Sequence, residues 1–305
     1  MKTKKTKRFL VTGGAGFIGH HLVSSLIKGG HHVIVLDDLS SGKKERLPFR
    51  QVSFIKVDVS EENFVENFSH LFKNVDTVFH LAALPRVEPS IEDPITFNTI
   101  NVNGTLNVLE AARKGKVKRV VYSATSACYG DAEELPTSES CKIDPKSPYG
   151  LQKYIGEQYC KLYSSLYGID TVSLRYFNVY GQGMATEGAY LLVLGVFKAQ
   201  LQQGKNLTLT NDGEQRRDFV HVDDVVSANI SAALREEEFN GLSINIGSGV
   251  NYSVNEIADM FHGVKTYGEV RIEPFETLAD NNTARTELKW SPEGHLPTFI
   301  KTYKY

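Results

Sequence analysis

The chain has 305 residues, 41% of them hydrophobic and 23% charged, with a formal net charge of −2. That length and composition can bury a large core in one big or two coupled domains. The charge balance excludes a general nucleic-acid binder, because neutralising a run of phosphates takes a basic surface. Cys128, Cys141 and Cys160 are odd in number and lack CxxC spacing, which fits reduced thiols rather than a disulfide frame or a zinc site. His20-His21 and His31-His32 are sequence neighbours, which do not share a helix or strand face, so no metal site is expected. The longest apolar stretch, Tyr190 to Phe197, is too short to span a bilayer. Lys2, Lys4, Lys5, Lys7 and Arg8 open the chain and read as a solvated tail; no apolar signal region follows them. A cytoplasmic location is therefore expected.

In chain order, Phe9 to Thr12 predicts a buried strand, the glycines after it a turn, and Phe17 to Ile27 a helix ending at Gly29-Gly30. His32 to Leu36 is the next apolar run and stops at Asp37-Asp38. Val52 to Val57, Thr77 to Leu81, Arg119 to Ser123 and Thr171 to Arg175 continue the series, alternating with helical stretches. Nearly continuous apolar strands separated by helices predict a parallel sheet covered on both faces, the doubly wound (Rossmann) α/β fold. After Asn178 the rhythm changes. Gly181-Gln182-Gly183 reads as a loop, Tyr190 to Gln202 as a helix and Asn211-Asp212-Gly213 as a turn. A βα pattern returns at Ser243 to Gly247, followed by a helix that Ser253 caps with Glu256 three residues on. The expected division is a Rossmann domain over 1–175, with returning segments at about 214–247, and a smaller discontinuous domain from 176–213 and 248–305.

Gly14, Gly16 and Gly19 satisfy G-x-G-x-x-G, and Gly13 precedes them. Alone, such a match is equally a plain strand-to-helix turn. Here it follows a strand, opens a helix and is followed, 18 residues after Gly19, by Asp37 at the end of the next strand. That context predicts a dinucleotide site. The glycines let the backbone approach the pyrophosphate, and the helix N-terminus supplies amide hydrogens and positive potential. Asp37 is expected to bind the adenosine ribose hydroxyls and to repel a 2′-phosphate, with no arginine adjacent, which favours NAD over NADP. Asp58 could contact the adenine edge or serve only as a turn residue.

Tyr149 and Lys153 stand at i and i+4 and share a helix face. Ser147-Pro148 before them favour a helix start, which puts Tyr149 in the first turn. To act as a base near neutral pH, a phenol of pKa about 10 must lose roughly three units, or about 4 kcal/mol. A nearby ammonium and the positive nicotinamide of NAD supply a field of that sign. The strand ending at Tyr122-Ser123-Ala124-Thr125-Ser126 offers hydroxyls at its carboxyl edge, where ligands sit in such sheets.

These motifs occur together with His80-Leu81-Ala82-Ala83, Asn101-Val102-Asn103-Gly104-Thr105, Ser123 to Gly130, Arg175-Tyr176-Phe177-Asn178, Arg217-Asp218-Phe219 and Thr277-Leu278-Ala279-Asp280. Over essentially its whole length the chain resembles the extended short-chain dehydrogenase/reductase family, specifically the NAD-dependent epimerases of nucleotide sugars. The resemblance implies that Thr125, with Ser126 as its neighbour, binds the reacting hydroxyl, that Tyr149 is the base, and that Lys153 lowers its pKa and holds the nicotinamide ribose. It implies cofactor contacts at Gly13, Gly16, Phe17, Ile18, Gly19, Asp37, Asp58, Val59, Leu81, Ala82, Ala83 and Phe177, besides Tyr149 and Lys153. It implies substrate diphosphate contacts at Asn178, Arg217 and Arg271, and a homodimer formed through helices beginning near Asn101 and Tyr149.

Relatives that dehydrate or decarboxylate sugars carry an acid two residues after the threonine, where this chain has Ala127. The additional acid/base for those reactions is missing. The reading is therefore 4-epimerisation of a UDP-hexose or UDP-N-acetylhexosamine through a 4-keto intermediate, with a decarboxylase or dehydratase, or a non-catalytic dinucleotide-binding regulator, as alternatives. Thr210 stands where many relatives stack an aromatic on uracil, an interaction worth about 1 to 3 kcal/mol. UDP is favoured by the resemblance and dTDP stays open.

Overall fold

A computed structural model describes residues 6–185, 191–268 and 274–303. Its strands begin with β1 (Arg8–Thr12), β2 (His32–Asp37), β3 (Val52–Lys56), β4 (Thr77–His80), β5 (Arg119–Thr125) and β6 (Asp170–Tyr176). Between them run α1 (Phe17–Lys28), α2 (Phe64–Phe68), α3 (Val87–Glu92), α4 (Pro94–Asn98), α5 (Gly104–Gly115) and α6 (Pro148–Tyr167). Then come β7 (Asn178–Tyr180), α7 (Val193–Gln202), β8 (Leu207–Leu209), β9 (Arg216–His221), α8 (Val222–Leu234), β10 (Leu242–Ile246), β11 (Asn251–Ser253), α9 (Val254–Phe261) and β12 (Lys265–Tyr267). Two short helices, α10 (Asn282–Glu287) and α11 (Leu296–Tyr303), close the fold.

Seven strands form one parallel sheet in the order β10-β6-β5-β4-β1-β2-β3. Alternate residues of each strand serve opposite faces. Phe9 and Val11 join a core with Leu22 and Leu26 of α1 and Val225 and Ala232 of α8. Leu10 joins the other core, with Val108, Leu109 and Ala112 of α5 and Cys160 of α6. The order reverses between β1 and β4, and in such sheets the ligand crevice opens beyond the carboxyl ends of the strands at that reversal.

A third core collects Tyr180, Leu194, Phe197, Leu207, Leu209, Phe219, Ile257, Phe261 and Ile300. β9 pairs with β7 and β11 in a three-stranded sheet beside this core, whereas β10 is the edge strand of the large sheet and α8 packs on that sheet. Asp218 of β9 is fully buried and pins that wall. Its carboxylate accepts from the Ser248 amide and hydroxyl, the Gly249 amide and the Ala279 amide. At the opposite end of the large sheet, Arg119 pairs with Asp170 and donates to the carbonyls of Ala232, Arg235 and Glu237.

The strands match the apolar runs, with β5 and β6 extending to Thr125 and Tyr176 because their polar tips still pair across the ladder. The capping box of Ser253 and Glu256 is present in full. The helix expected from Tyr190 begins at Val193; Tyr190 itself, like the basic opening residues up to Lys5, lies outside the described residues. Thr99 to Asn103 form a π-helical turn between α4 and α5, the kind of bulge found at functional sites. All three cysteines are free thiols. Among the described residues, no helix is long and apolar enough to cross a membrane.

Candidate active site

The carboxyl ends of β1 and β2 form a tight backbone seat. Gly13 leaves β1 with φ +68°, and its amide donates to the Leu36 carbonyl at 2.8 Å. A Cβ at Gly13 would stand 2.6 Å from the Ala82 amide nitrogen, and one at Gly19 would stand 2.1 Å from the Gly13 carbonyl oxygen. Only glycines allow this approach of turn, helix and β4 loop. No side chain caps α1 and its first turn carries no acid, so its leading amides face the crevice as an anion site. This cradle fits a dinucleotide pyrophosphate.

Asp37 ends β2 beside the seat. Its two carboxylate oxygens accept from the Ala15 and Leu39 amides, each at 2.8 Å. Burial pushes its pKa up while those amides pull it down. Asp58 accepts from the Ser60 amide and hydroxyl at 2.8 and 2.7 Å, so it serves as a turn residue while also lining the crevice. Lys43 and Arg46 line the same crevice as Asp37. No arginine neighbours Asp37 in sequence, but the loop after β2 returns these two cations to the crevice wall. The Lys43 amide, bonded to the Ala15 carbonyl at 3.1 Å, ties that loop down.

The neighbouring corner holds the hydroxyls. Thr125 ends β5, and Ser147 caps α6 by accepting from the Gly150 amide at 3.1 Å. That cap fixes Tyr149 in the first turn, and its amide donates to Ser90 Oγ at 3.0 Å. Lys153, one turn on, is buried with Nζ 4.3 Å over the Tyr122 ring. Burial pulls the Lys153 ammonium down to about 7. Burial also pushes the Tyr149 phenol up, and the Thr125 hydroxyl opposes that rise. The expected field at the phenol had two sources, the Lys153 ammonium and the positive nicotinamide. Loss of water dominates both groups in the chain by itself, leaving the cationic cofactor to supply the field. A phenol, a threonine hydroxyl and a lysine so arranged can move a proton to or from an alcohol oxygen.

Behind Lys153 stands a buried relay. His80 Nδ1 lies 2.7 Å from Thr12 Oγ1, His80 Nε2 lies 2.9 Å from Thr105 Oγ1, and Thr105 donates to the Asn101 carbonyl at 2.7 Å. Burial, then the Lys153 charge, pushes His80 down to about 3, so it is neutral. Sequence reasoning placed His80 in a motif without a role; its partners are 68 and 25 residues away, beyond the reach of local spacing.

A crevice of about 1660 Å³ connects the seat and this corner to the smaller core, and every sequence-predicted site residue among those described lines it. Arg271 lies outside the described residues. The volume exceeds the 300–1,000 Å³ of ordinary small-molecule pockets, which suits two nucleotides. On β9 the side chains alternate. Arg216 pairs with Glu256 at 2.9 Å, whereas Arg217 lines the crevice and donates to the Arg216 and Phe275 carbonyls at 2.9 and 3.3 Å. Asn178 of β7 donates to the Asp218 carbonyl at 3.0 Å. Tyr252, opposite Arg217 on β11, also lines the crevice. It went unread because its strand has only three residues. Thr210 is bonded by Gln215 Nε2 at 2.7 Å, both on the crevice wall.

Comparison with known proteins places the chain in a family. The model of the NAD dependent epimerase/dehydratase family matches residues 9–247. A UDP-glucose 4-epimerase of Mycolicibacterium smegmatis is 36% identical over 311 residues, covering 98% of each chain. The crystal structure of UDP-glucose 4-epimerase from Thermotoga maritima with UDP-glucose has a TM-score of 0.91 at 35% identity, covering 97% of each chain. UDP-N-acetylglucosamine 4-epimerase from Methanobrevibacter ruminantium, in complex with UDP-N-acetylmuramic acid, has a TM-score of 0.91 at 32% identity, covering 99% of this chain and 98% of that one. With the glycine seat, the tyrosine-lysine pair and this likeness along nearly the full length, the chain belongs to the NAD-dependent epimerase/dehydratase family.

Proposed function

We propose that this chain is an NAD-dependent 4-epimerase acting on a UDP-hexose or UDP-N-acetylhexosamine through a 4-keto sugar. The observation that carries the reading is the Thr125–Tyr149–Lys153 corner on the crevice wall with Ala127, not an acid, beside it. Tyr149 takes the proton from O4 and later returns it, and Thr125 fixes O4 by a hydrogen bond. Bound NAD supplies a reversible two-electron acceptor, so that C4 passes through a ketone and can be restored with either configuration. Lys153 holds the nicotinamide ribose, and Asp37 binds the adenosine ribose. Asn178 and Arg217, with Arg271, bind the diphosphate, where a guanidinium fork suits phosphate geometry. With Ala127 in place of an acid, that position supplies no carboxyl group to assist loss of water or carbon dioxide.

The UDP assignment is supported by the names of the relatives. A homodimer is supported by exposed apolar side chains on two helices that pack together, Ile95 of α4 and Leu151, Leu162 and Leu166 of α6. A cytoplasmic location agrees with the three free thiols. The test is incubation with a panel of UDP- and dTDP-sugars, with products resolved by NMR. Interconversion of 4-epimers without loss of mass is expected, and a product lacking water or carbon dioxide would replace the reading.

A further inference from the structure

The segment that leads from β4 into α3 lines the crevice and is pinned at Leu84 and Ser90. Asn101 holds Leu84 twice, accepting from its amide at 2.8 Å and donating to its carbonyl at 3.1 Å. Ser90 accepts from the Tyr149 amide at 3.0 Å. Between the pins Arg86 adopts φ +95° and ψ 145°, a region close to glycine's own, and strain of this kind persists where the surroundings impose it at sites of function. The Arg86 side chain is half-buried on the crevice wall and makes no hydrogen bond or ion pair among the described residues. Burial lowers its pKa, and the attraction of Glu88 does not make up the loss. A guanidinium that has lost part of its water without gaining a hydrogen-bonded partner favours an anion that can meet it.

The position of Arg86 narrows that anion. β4 lies between β1, which carries the glycine seat, and β5, which ends at Thr125. Arg86 is therefore on the wall shared by the dinucleotide and the reacting sugar, four residues before the serine that touches Tyr149. Asn178 and Arg217, assigned to the substrate diphosphate, stand on the three-stranded sheet, and Lys43 and Arg46 follow the loop beside Asp37.

We propose that Arg86 forms a subsite for a carboxylate carried by the hexose of the nucleotide sugar, so that UDP-hexuronic acids are preferred over neutral UDP-hexoses. The proposal rests on the 4-epimerase reading. A planar fork binds a carboxylate in two parallel hydrogen bonds, which neutral hydroxyls cannot match in strength.

The deciding quantity is the ratio of kcat/KM for UDP-glucuronic acid to that for UDP-glucose, measured for the native chain, Arg86→Lys and Arg86→Gly. Glycine fits the backbone angle of residue 86, so that variant keeps the fold. The ratio is expected to exceed one in the native chain, to fall about 10- to 100-fold in Arg86→Gly, the size of lost charge-assisted hydrogen bonds, and to fall less in Arg86→Lys. An unchanged ratio overturns the proposal, and so does an equal weakening of UDP or NAD binding, which would make Arg86 a phosphate ligand. If neutral UDP-sugars turn over while the ratio does not move, the 4-epimerase reading stands and only the subsite falls. If no UDP-sugar is epimerised, that reading falls. Calorimetric Kd values of UDP-glucuronic acid and UDP-glucose on the native chain and Arg86→Gly then decide the subsite separately.

Discussion

The two halves of the crevice are built from different material. The dinucleotide half is mostly main chain: Gly13, the uncapped start of α1 and the β4 loop meet at distances that leave no room for a Cβ. The half facing the smaller core is mostly side chain: Arg217, Asn178, Tyr252, Thr210 and Gln215 reach in from strands and loops distant in sequence. A backbone seat recognises what every dinucleotide shares, and a side-chain wall can change its ligand one substitution at a time. Mutations on the two halves should therefore fail differently, and the corner where they meet should fail most.

The largest effect is expected at that corner. Tyr149→Phe should lower kcat by about 10²- to 10⁴-fold, the range for loss of a general base, with substrate KM little changed. Normal turnover would show that another residue moves the proton. Lys153→Met should abolish most activity yet stabilise the cofactor-free protein. The fold holds Lys153 near pKa 7, below its ordinary 10.5. Below pH about 7 the native state carries a buried ammonium at full cost. As pH rises from 7 towards 10.5 the native lysine sheds its proton before the unfolded one does, and the cost disappears. The gain in stability of Lys153→Met is thus largest at pH 6, on the order of 5 kcal/mol at most, and vanishes above pH about 10.5. Melting curves across that range check the slope; a pH-independent gain would mean that Lys153 titrates in the fold as it does in the unfolded chain.

On the backbone half, Gly13→Ala adds a methyl 2.6 Å from the Ala82 nitrogen at a φ of +68°. It should weaken NAD and lower Tm together, with about 1 to 3 kcal/mol from the backbone angle alone. On the side-chain half, Arg217→Lys should raise substrate KM several-fold, with NAD bound as before and Tm nearly unmoved, since lysine cannot reproduce a bidentate fork. A lowered Tm with unaltered KM would instead make Arg217 a structural residue. Parallel losses from these two substitutions would erase the contrast between the halves.

The same contrast explains what was legible in the sequence. Apolar runs, the glycine spacing, Asp37 at a strand end and the Tyr149–Lys153 pair are local patterns, and local patterns survive in one dimension. Thr12, His80 and Thr105 form their relay only because β1, β4 and α5 pack together. Arg46 reaches the crevice by a loop of no recognisable period, and nothing in the residues around Arg86 signals a positive φ. The burial of Tyr149 and Lys153 is not legible for a related reason: i,i+4 spacing gives proximity, while the depth of burial that governs both groups depends on the whole fold.

Asp218 has a consequence for how a ligand is received. Its carboxylate gathers donors from Ser248, Gly249 and Ala279 onto the strand that also carries Arg217. Those segments are riveted to one point, so this wall is set before substrate arrives and little chain entropy remains to be lost on binding. On the proposed assignment of Arg217 and Asn178 to the diphosphate, the sugar is the part left to turn, and a rigid anchor with a swivelling load is what presenting both faces of one carbon to the same acceptor requires.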